Sequence, residues 1–205
     1  MRTRPVATYW LLGIIVTVYL AQLLSGGYVT QLFLYWPPLT AIEPWRMVTT
    51  MFVHSSSSVF HILFNGYSLF ILGTLVERMI GPGRFVTLFL MSGFGGSVLV
   101  LLLAPMSAVV GASGAIFGLF GALFVIQRSF GGANTQLLIV LGLNLVMGFI
   151  VPGISWQAHI GGLITGAVVA NVMVKTRGEA PRRQQQGLGL IGLGLVGLSV
   201  LGVLI

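Results

Sequence analysis

A single hydroxyl among glycines is the first feature of this sequence that could carry chemistry. Ser113 lies within Gly111-Ala112-Ser113-Gly114, at the start of the apolar segment 115–126. A glycine-flanked serine lets another backbone approach closely, and the first N–H groups of a following helix are free to face an anion. Those are the requirements of a serine nucleophile and its oxyanion. Serine and glycine also pack between membrane helices, and on this stretch alone packing is the favoured interpretation.

Two other apolar segments carry polar side chains near one end. His61 and Asn65 are four residues apart, so they share one helix face. They can be hydrogen-bonding glue between helices or donors to an oxyanion, and the spacing does not choose between these roles. His159, Gly162 and Gly166 fall at i, i+3 and i+7, a face suited to lie against another glycine-bearing helix.

The composition sets the class of protein. Of the 205 residues, 56% are hydrophobic and only 6% charged, which a soluble domain could not bury, so a polytopic membrane protein is predicted. The absence of cysteine excludes disulfides, thiol catalysis and cysteine-based metal sites. The net charge of +7 is spread between the apolar runs, so it indicates topology rather than a nucleic-acid surface. No nucleic acid, cofactor or metal is expected.

Seven apolar runs are long enough to be candidate spans of a bilayer. They are 8–25, 59–77, 85–104, 109–127, 135–152, 155–174 and 187–205. The first follows a basic N-terminus as in a signal peptide, but no small-x-small site precedes a soluble domain, so it is interpreted as a retained span.

The basic residues orient these spans. All but Arg46 fall on one side: Arg2, Arg4, Arg78, Arg84, Arg128, Lys175, Arg177, Arg182 and Arg183. The bias predicts a cytoplasmic N-terminus and an outside C-terminus. The expected location is the plasma membrane. The second, fourth and sixth spans then run inward from the outer face. His61, Asn65, Ser113 and His159 therefore lie at similar depth near that face, which assembles the parts of a hydrolytic site.

At these motifs the sequence resembles the rhomboid family of intramembrane serine proteases. The matching stretches are His61-x-x-x-Asn65, Gly111-x-Ser113-Gly114 and Ala158-His159-x-x-Gly162-x-x-x-Gly166, with Trp45-Arg46 in the first outer loop and Glu77 with Gly81 after the second span. The resemblance implies an all-α protein with a six-helix core over 1–175. A cytoplasmic loop over 176–186 and an additional seventh transmembrane helix over 187–205 would follow.

The resemblance also implies roles for the polar side chains. Ser113 would be the nucleophile of an acyl-enzyme mechanism and His159 its base, and His61, Asn65 and the Ser113 N–H would bind the oxyanion. The substrates implied are single-span membrane proteins with an outside N-terminus, cut near the outer end of the span after a small residue.

Other side chains receive predictions from the residues themselves. Glu77 and Glu179 lie at the cytoplasmic side in this topology, far from His159, and the third carboxylate, Glu43, lies in the outer loop. The chain has no aspartate, so packing and hydrogen bonds are expected to orient that ring. Phe117, one turn below Ser113, is assigned to packing, in line with a place under the catalytic ring.

Further polar residues, and two rival functions, complete the sequence predictions. Asn144 is assigned to an interhelical hydrogen bond, and Trp45 with Arg46 to an interfacial anchor. His54 and 55–58 are predicted to form an outer mouth that supplies water. A small transporter and an inactive client-binding relative are the rival functions, and neither an inverted repeat nor an intramembrane carboxylate supports the transporter.

Overall fold

The computed structural model describes residues 4–132, 135–151 and 153–205. One apolar helix lies in each predicted span: α1 (Val6–Leu24), α2 (Val59–Ile80), α3 (Pro82–Leu103), α4 (Ser113–Ser129), α5 (Thr135–Ile150), α6 (Trp156–Lys175) and α7 (Pro181–Leu204). An isolated bridge between Tyr35 and Val109 is the one β pairing in the described ranges. The predicted all-α, polytopic membrane architecture is confirmed. Arg2 and position 152, which the sequence predictions use, lie outside the described residues.

Helix length separates the seven candidates into two groups. Five are long and apolar enough to cross a membrane, namely α1, α2, α3, α6 and α7. The other two are shorter, with 17 residues in α4 and 16 in α5. At about 1.5 Å per residue they reach roughly 25 Å, against about 30 Å of hydrocarbon. A crossing by α4 and α5 therefore stays a prediction.

Two predicted loops are shorter in the structure, and proline explains both differences. Gly81 alone separates α2 from α3, with φ of +84°, and Pro82 is the first helical residue. Pro181 likewise begins α7, so the second half of the predicted loop 176–186 is helical. Proline at the first helical position has the required φ, and its missing N–H leaves no bond unmade.

Glycines bring α4 and α6 into backbone contact at the centre of the bundle. A methyl group on Gly162 would overlap Gly114 O, and one on Gly166 would overlap Gly118 O. Because the paired positions advance together, the two helices are parallel. Such contact is the usual result of small-xxx-small faces in membranes. The predicted glycine-lined face on α6 therefore meets the glycines of α4.

The second helix is interrupted and ends in a buried carboxylate. The π-helical turn Leu69–Gly73 lies inside α2. Beyond it, Glu77 has no exposed surface. Its carboxylate accepts bonds from the backbone N–H groups of Ala7 (2.9 Å) and Thr8 (2.7 Å) and from the Thr8 hydroxyl (2.7 Å). Glu77 thus caps the N-terminus of α1, where orphan N–H groups and the helix dipole favour a negative charge.

The segment between α1 and α2 is folded rather than extended. It contains the short helices Tyr28–Phe33 and Arg46–Thr49. Trp45 is exposed, as an interfacial anchor would be, but Arg46 is buried. Arg46 pairs with Glu43 and donates to the carbonyls of residues 31 and 34. The predicted anchoring role is therefore wrong for Arg46, which ties the segment together internally.

The last helix lies on the outside of the bundle. Its buried residues are Gln184, Leu195 and Ser199. Gln184 accepts from Arg84 Nε (2.8 Å) and donates to the Thr176 hydroxyl (2.9 Å), which ties α7 to α3 and to the end of α6. This peripheral position suits a helix added to a six-helix core.

Candidate active site

Ser113 is the first residue of α4 and follows a constrained turn. Gly111 has φ of +116°, a conformation that L side chains rarely adopt. Its N–H donates to Thr50 O at 3.0 Å. Just before it, Val109 exchanges two backbone hydrogen bonds with the buried Tyr35, of 2.8 and 3.1 Å. The segment between α1 and α2 therefore fixes the approach to Ser113.

His159 lies in the first turn of α6, beside the first turn of α4. Ser155 caps this helix by accepting from Ala158 N at 3.2 Å. A Cβ on Gly114 would lie 3.2 Å from Ala158 O, so the residue after Ser113 contacts the residue before His159. The structure therefore brings the predicted nucleophile and base onto adjoining backbones.

Phe117 supports the imidazole of His159. The two rings are stacked, with centroids 4.0 Å apart and planes at 11°. The predicted packing role under this ring is confirmed. His159 is 5% exposed, and its Nδ1 is buried without a partner among the described residues. The structure describes no hydrogen bond between Ser113 and His159. Catalytic hydrogen bonds are often long in unliganded sites and tighten with substrate.

His61 and Asn65 face the turn before Ser113 from α2. A Cβ built on Gly111 would lie 2.7 Å from His61 Nε2 and 3.9 Å from Asn65 Nδ2. Asn65 donates to His61 O at 2.8 Å through one of its two N–H bonds, and its Oδ1 is buried without a partner in the described structure. The structure thus brings two side-chain donors and the serine turn together.

His54 differs from its predicted place at an open mouth. It is completely buried, and its ring meets that of His61 edge to face, with centroids 5.3 Å apart. Burial, reinforced by the neighbouring His61, lowers the pKa of His54 from 6.5 to about 4, so its ring is neutral at pH 7. Ser56 and Ser57 are exposed and keep the position expected of a water-facing rim. No pattern in the sequence indicates that His54 contacts the site.

All three carboxylates have partners away from His159. Glu77 caps α1, Glu43 pairs with Arg46, and Glu179 bonds Arg183 at 3.3 Å. None of these glutamates is therefore available to orient the His159 ring.

A cavity of about 420 Å³ lies between α2, α4 and α5, lower than Ser113 along these helices. Tyr67, Leu75, Phe120 and Gln127 are among its lining residues, and Asn144 also borders it. Asn144 donates to Val140 O of its own helix at 2.8 Å, so the predicted interhelical bond is wrong. A free face of α5 allows an exposed amide to satisfy itself locally.

Residues 41–176 match the family model described as "Rhomboid domain", a range that contains all four predicted site residues. "Rhomboid protease GluP" of Bacillus subtilis is 38% identical over 133 residues, 62% of this chain and 26% of that protein. "RHOMBOID-like protein 6, mitochondrial" of Arabidopsis thaliana is 35% identical over 139 residues, 64% of this chain and 44% of that protein.

A third relative is nearer in length. "Putative rhomboid protease YdcA" of Bacillus subtilis is 35% identical over 141 residues, 66% of this chain and 70% of that protein. The matches to the first two span less than half of the relatives' own length.

Proposed function

This chain belongs to the rhomboid family, and from that premise we propose that it is an intramembrane serine protease that hydrolyses peptide bonds of membrane-protein substrates. The observation that carries the proposal is the convergence of α2, α4 and α6 on one turn. His61 and Asn65 face Gly111 from one side, and the backbone before His159 touches Gly114 from the other. Nucleophile, base and oxyanion donors are the parts that acyl transfer needs.

In the proposed first step, Ser113 Oγ attacks the scissile carbonyl carbon while His159 accepts the hydroxyl proton. The carbonyl oxygen becomes an oxyanion bound by His61 Nε2–H, Asn65 Nδ2–H and the Ser113 N–H. The C–N bond then breaks, and the leaving amine takes the proton from His159. Water, deprotonated by the same imidazole, cleaves the acyl-enzyme and restores Ser113.

His159 must hold its orientation without a carboxylate. In a triad an acidic partner fixes the tautomer and position of the imidazole. Here the stacked Phe117 ring restrains the imidazole plane instead. An aromatic pair of this kind contributes about 0.5–1.5 kcal/mol beyond area burial. We therefore propose a dyad of Ser113 and His159, with Phe117 as its support.

Labelling by a fluorophosphonate probe tests the nucleophile. The purified chain in lipid vesicles should be labelled, and Ser113→Ala should not. His159→Ala should label far more slowly, since nothing deprotonates the hydroxyl. Ser92→Ala is the control, because it removes the hydroxyl of a buried serine on α3, outside the proposed site. Equal labelling of the native chain and Ser113→Ala would reject the proposal in favour of a transporter or a client-binding protein.

The oxyanion assignment predicts a graded loss of activity. Asn65→Ala removes one donor, which typically lowers kcat by about 100- to 1000-fold, whereas Ser113→Ala abolishes cleavage. Single-turnover cleavage of a peptide substrate measures both. Native kcat in Asn65→Ala would remove Asn65 from the oxyanion site.

We propose a cytoplasmic N-terminus and an outside C-terminus in the plasma membrane, supported by the one-sided basic residues. The chain has no cysteine, so single cysteines can report topology without background. On intact cells a membrane-impermeant maleimide should label Ser57→Cys and leave Glu179→Cys unlabelled. The reverse pattern would invert the topology.

The proposed substrates are single-span proteins with an outside N-terminus, cut near the outer end of the span after a small residue. A helix hides its carbonyls in internal hydrogen bonds, so the segment must unwind before Ser113 can attack it. Glycine or proline near the cut should speed cleavage, and leucine should slow it. Mass spectrometry of the product termini decides: cuts at the cytoplasmic end would contradict the depth assigned to Ser113.

A further inference from the structure

Gln22, near the end of α1, binds the segment that precedes α2. Its side chain is completely buried. Its Oε1 accepts from His54 N at 2.9 Å, and its Nε2 donates to His54 O at 2.7 Å. The same Nε2 donates to the Thr30 hydroxyl at 2.6 Å. The amide thus bonds both the backbone N–H and the C=O of His54, and both of its own N–H groups have acceptors.

The next peptide N–H reaches the site. Ser55 N donates to His61 Nδ1 at 3.1 Å. A ring nitrogen that accepts an N–H carries no proton, so this bond requires neutral His61 with its hydrogen on Nε2. Nε2 is the atom that faces Gly111. The backbone bond at one end of the ring therefore fixes the donor at the other end.

Packing removes the alternatives for this ring. The buried His54 ring lies against His61 edge to face, on the same short segment that Gln22 grips. A flipped His61 ring would present a carbon to the Ser55 N–H. It would leave the half-buried Ser55 N–H unpaired, and the cost of an unpaired donor reaches about 1–3 kcal/mol where burial is complete.

We infer that Gln22 is a positioning residue of the active site. By gripping the backbone of His54 it places the Ser55 N–H, which holds His61 as the tautomer that donates from Nε2. The inference rests on the proposed oxyanion role of His61. It assigns to α1, which lies outside the matched family range, a part in the electrostatics of a site formed by α2, α4 and α6.

Nitrogen-15 NMR of the histidines tests the coupling directly. The chain has three histidines, so single substitutions assign the spectrum. Native His61 should show one tautomer, protonated at Nε2. Gln22→Leu should give mixed tautomers and lower kcat by about 10- to 100-fold with little change in KM. This fall in kcat should not exceed the fall caused by removing one oxyanion donor. Gln184→Leu, which cuts a buried glutamine network at α7, should change neither the tautomer nor kcat.

Ser55→Pro provides a second route if Gln22→Leu does not fold, because it deletes the donor without touching α1. An unchanged His61 tautomer in the folded variants would overturn the inference. If a variant had an altered His61 tautomer but native kcat, the hydrogen bonds from Gln22 to His54 would have no catalytic role. If the native chain cleaved no substrate, the proposed protease function would be rejected. The NMR measurement of the His61 tautomer would still test whether Gln22 positions His61.

Discussion

Gly162→Ala should separate the two helices that hold the proposed nucleophile and base. The added Cβ would overlap Gly114 O and lie 2.7 Å from Gly114 C and 3.2 Å from Gly114 Cα. These are backbone atoms of α4, so no side-chain rotation relieves the overlap. Carbon atoms prefer about 3.5–4.0 Å, and α6 must therefore move away by roughly 1 Å.

The same movement acts on stability and on catalysis to different extents. Overpacking of this kind usually costs about 1–3 kcal/mol of folding free energy. His159 lies one turn from Gly162 on α6, so it moves relative to Ser113 at the start of α4. A misplacement of about 1 Å can cost roughly 100-fold in rate. We expect kcat to fall by about two orders of magnitude while the bundle stays folded.

Cleavage of a single-span substrate in lipid vesicles measures kcat, and denaturant titration in detergent measures stability. Gly192→Ala is the matched control, since a Cβ there meets nothing within 4 Å. It should leave both quantities unchanged. If Gly162→Ala kept kcat within about threefold of native, the helices would not be in the backbone contact described.

Three further perturbations have expected outcomes. Phe117→Leu removes the ring stacked on His159 and should lower kcat by about 2- to 10-fold, which corresponds to the 0.5–1.5 kcal/mol of an aromatic pair. Cleavage kinetics measure the effect, and Phe89→Leu, at a buried phenylalanine on α3, is the control. Glu77→Gln should lower the free energy of unfolding by about 1–3 kcal/mol, since a neutral amide replaces a buried acceptor of three bonds, and an unchanged denaturation midpoint would contradict the cap. His54 has a pKa near 4 in the folded chain against 6.5 when unfolded, so the unfolded state binds more protons between these values. Stability should therefore fall as pH drops through that window, by about 3 kcal/mol near its lower end, and His54→Leu should lose this part of the pH dependence in denaturation curves.

The helices and the polar groups of the site were predictable from different kinds of signal. Apolar runs of bilayer length located all seven helices, because burial in lipid demands that pattern over the whole segment. The positions of His61, Asn65, Ser113 and His159 near helix starts followed from counting within those runs. That these four side chains converge on one turn could not be predicted, because it depends on the glycine contacts between α4 and α6. The spacing of Gly162 and Gly166 predicted a glycine-lined face but not which helix it contacts.

Side chains whose partners lie far along the chain could not be predicted. Gln22 is a single amide in an apolar run, and most of the folded segment between α1 and α2 separates it from its partner His54. His54 itself precedes four serines and therefore has the sequence context of an exposed loop. Arg46 has one acceptor nearby in the sequence, Glu43, but its other two acceptors are the carbonyls of residues 31 and 34, which no sequence pattern reveals. The start of α7 was missed because its first turns are polar.

The π-helical turn Leu69–Gly73 decides which way the two ends of α2 point. In an uninterrupted helix, the twelve steps from Asn65 to Glu77 would turn the side chains about 120° apart. Counted as one inserted residue, the π turn brings them to within about 20°. Both are buried, Asn65 beside the turn before Ser113 and Glu77 at the cap of α1. The π turn thus adds one residue to α2 while keeping Asn65 and Glu77 on the same face. Deleting a residue within the turn should keep them on that face, whereas deleting one between the turn and either residue should move them apart.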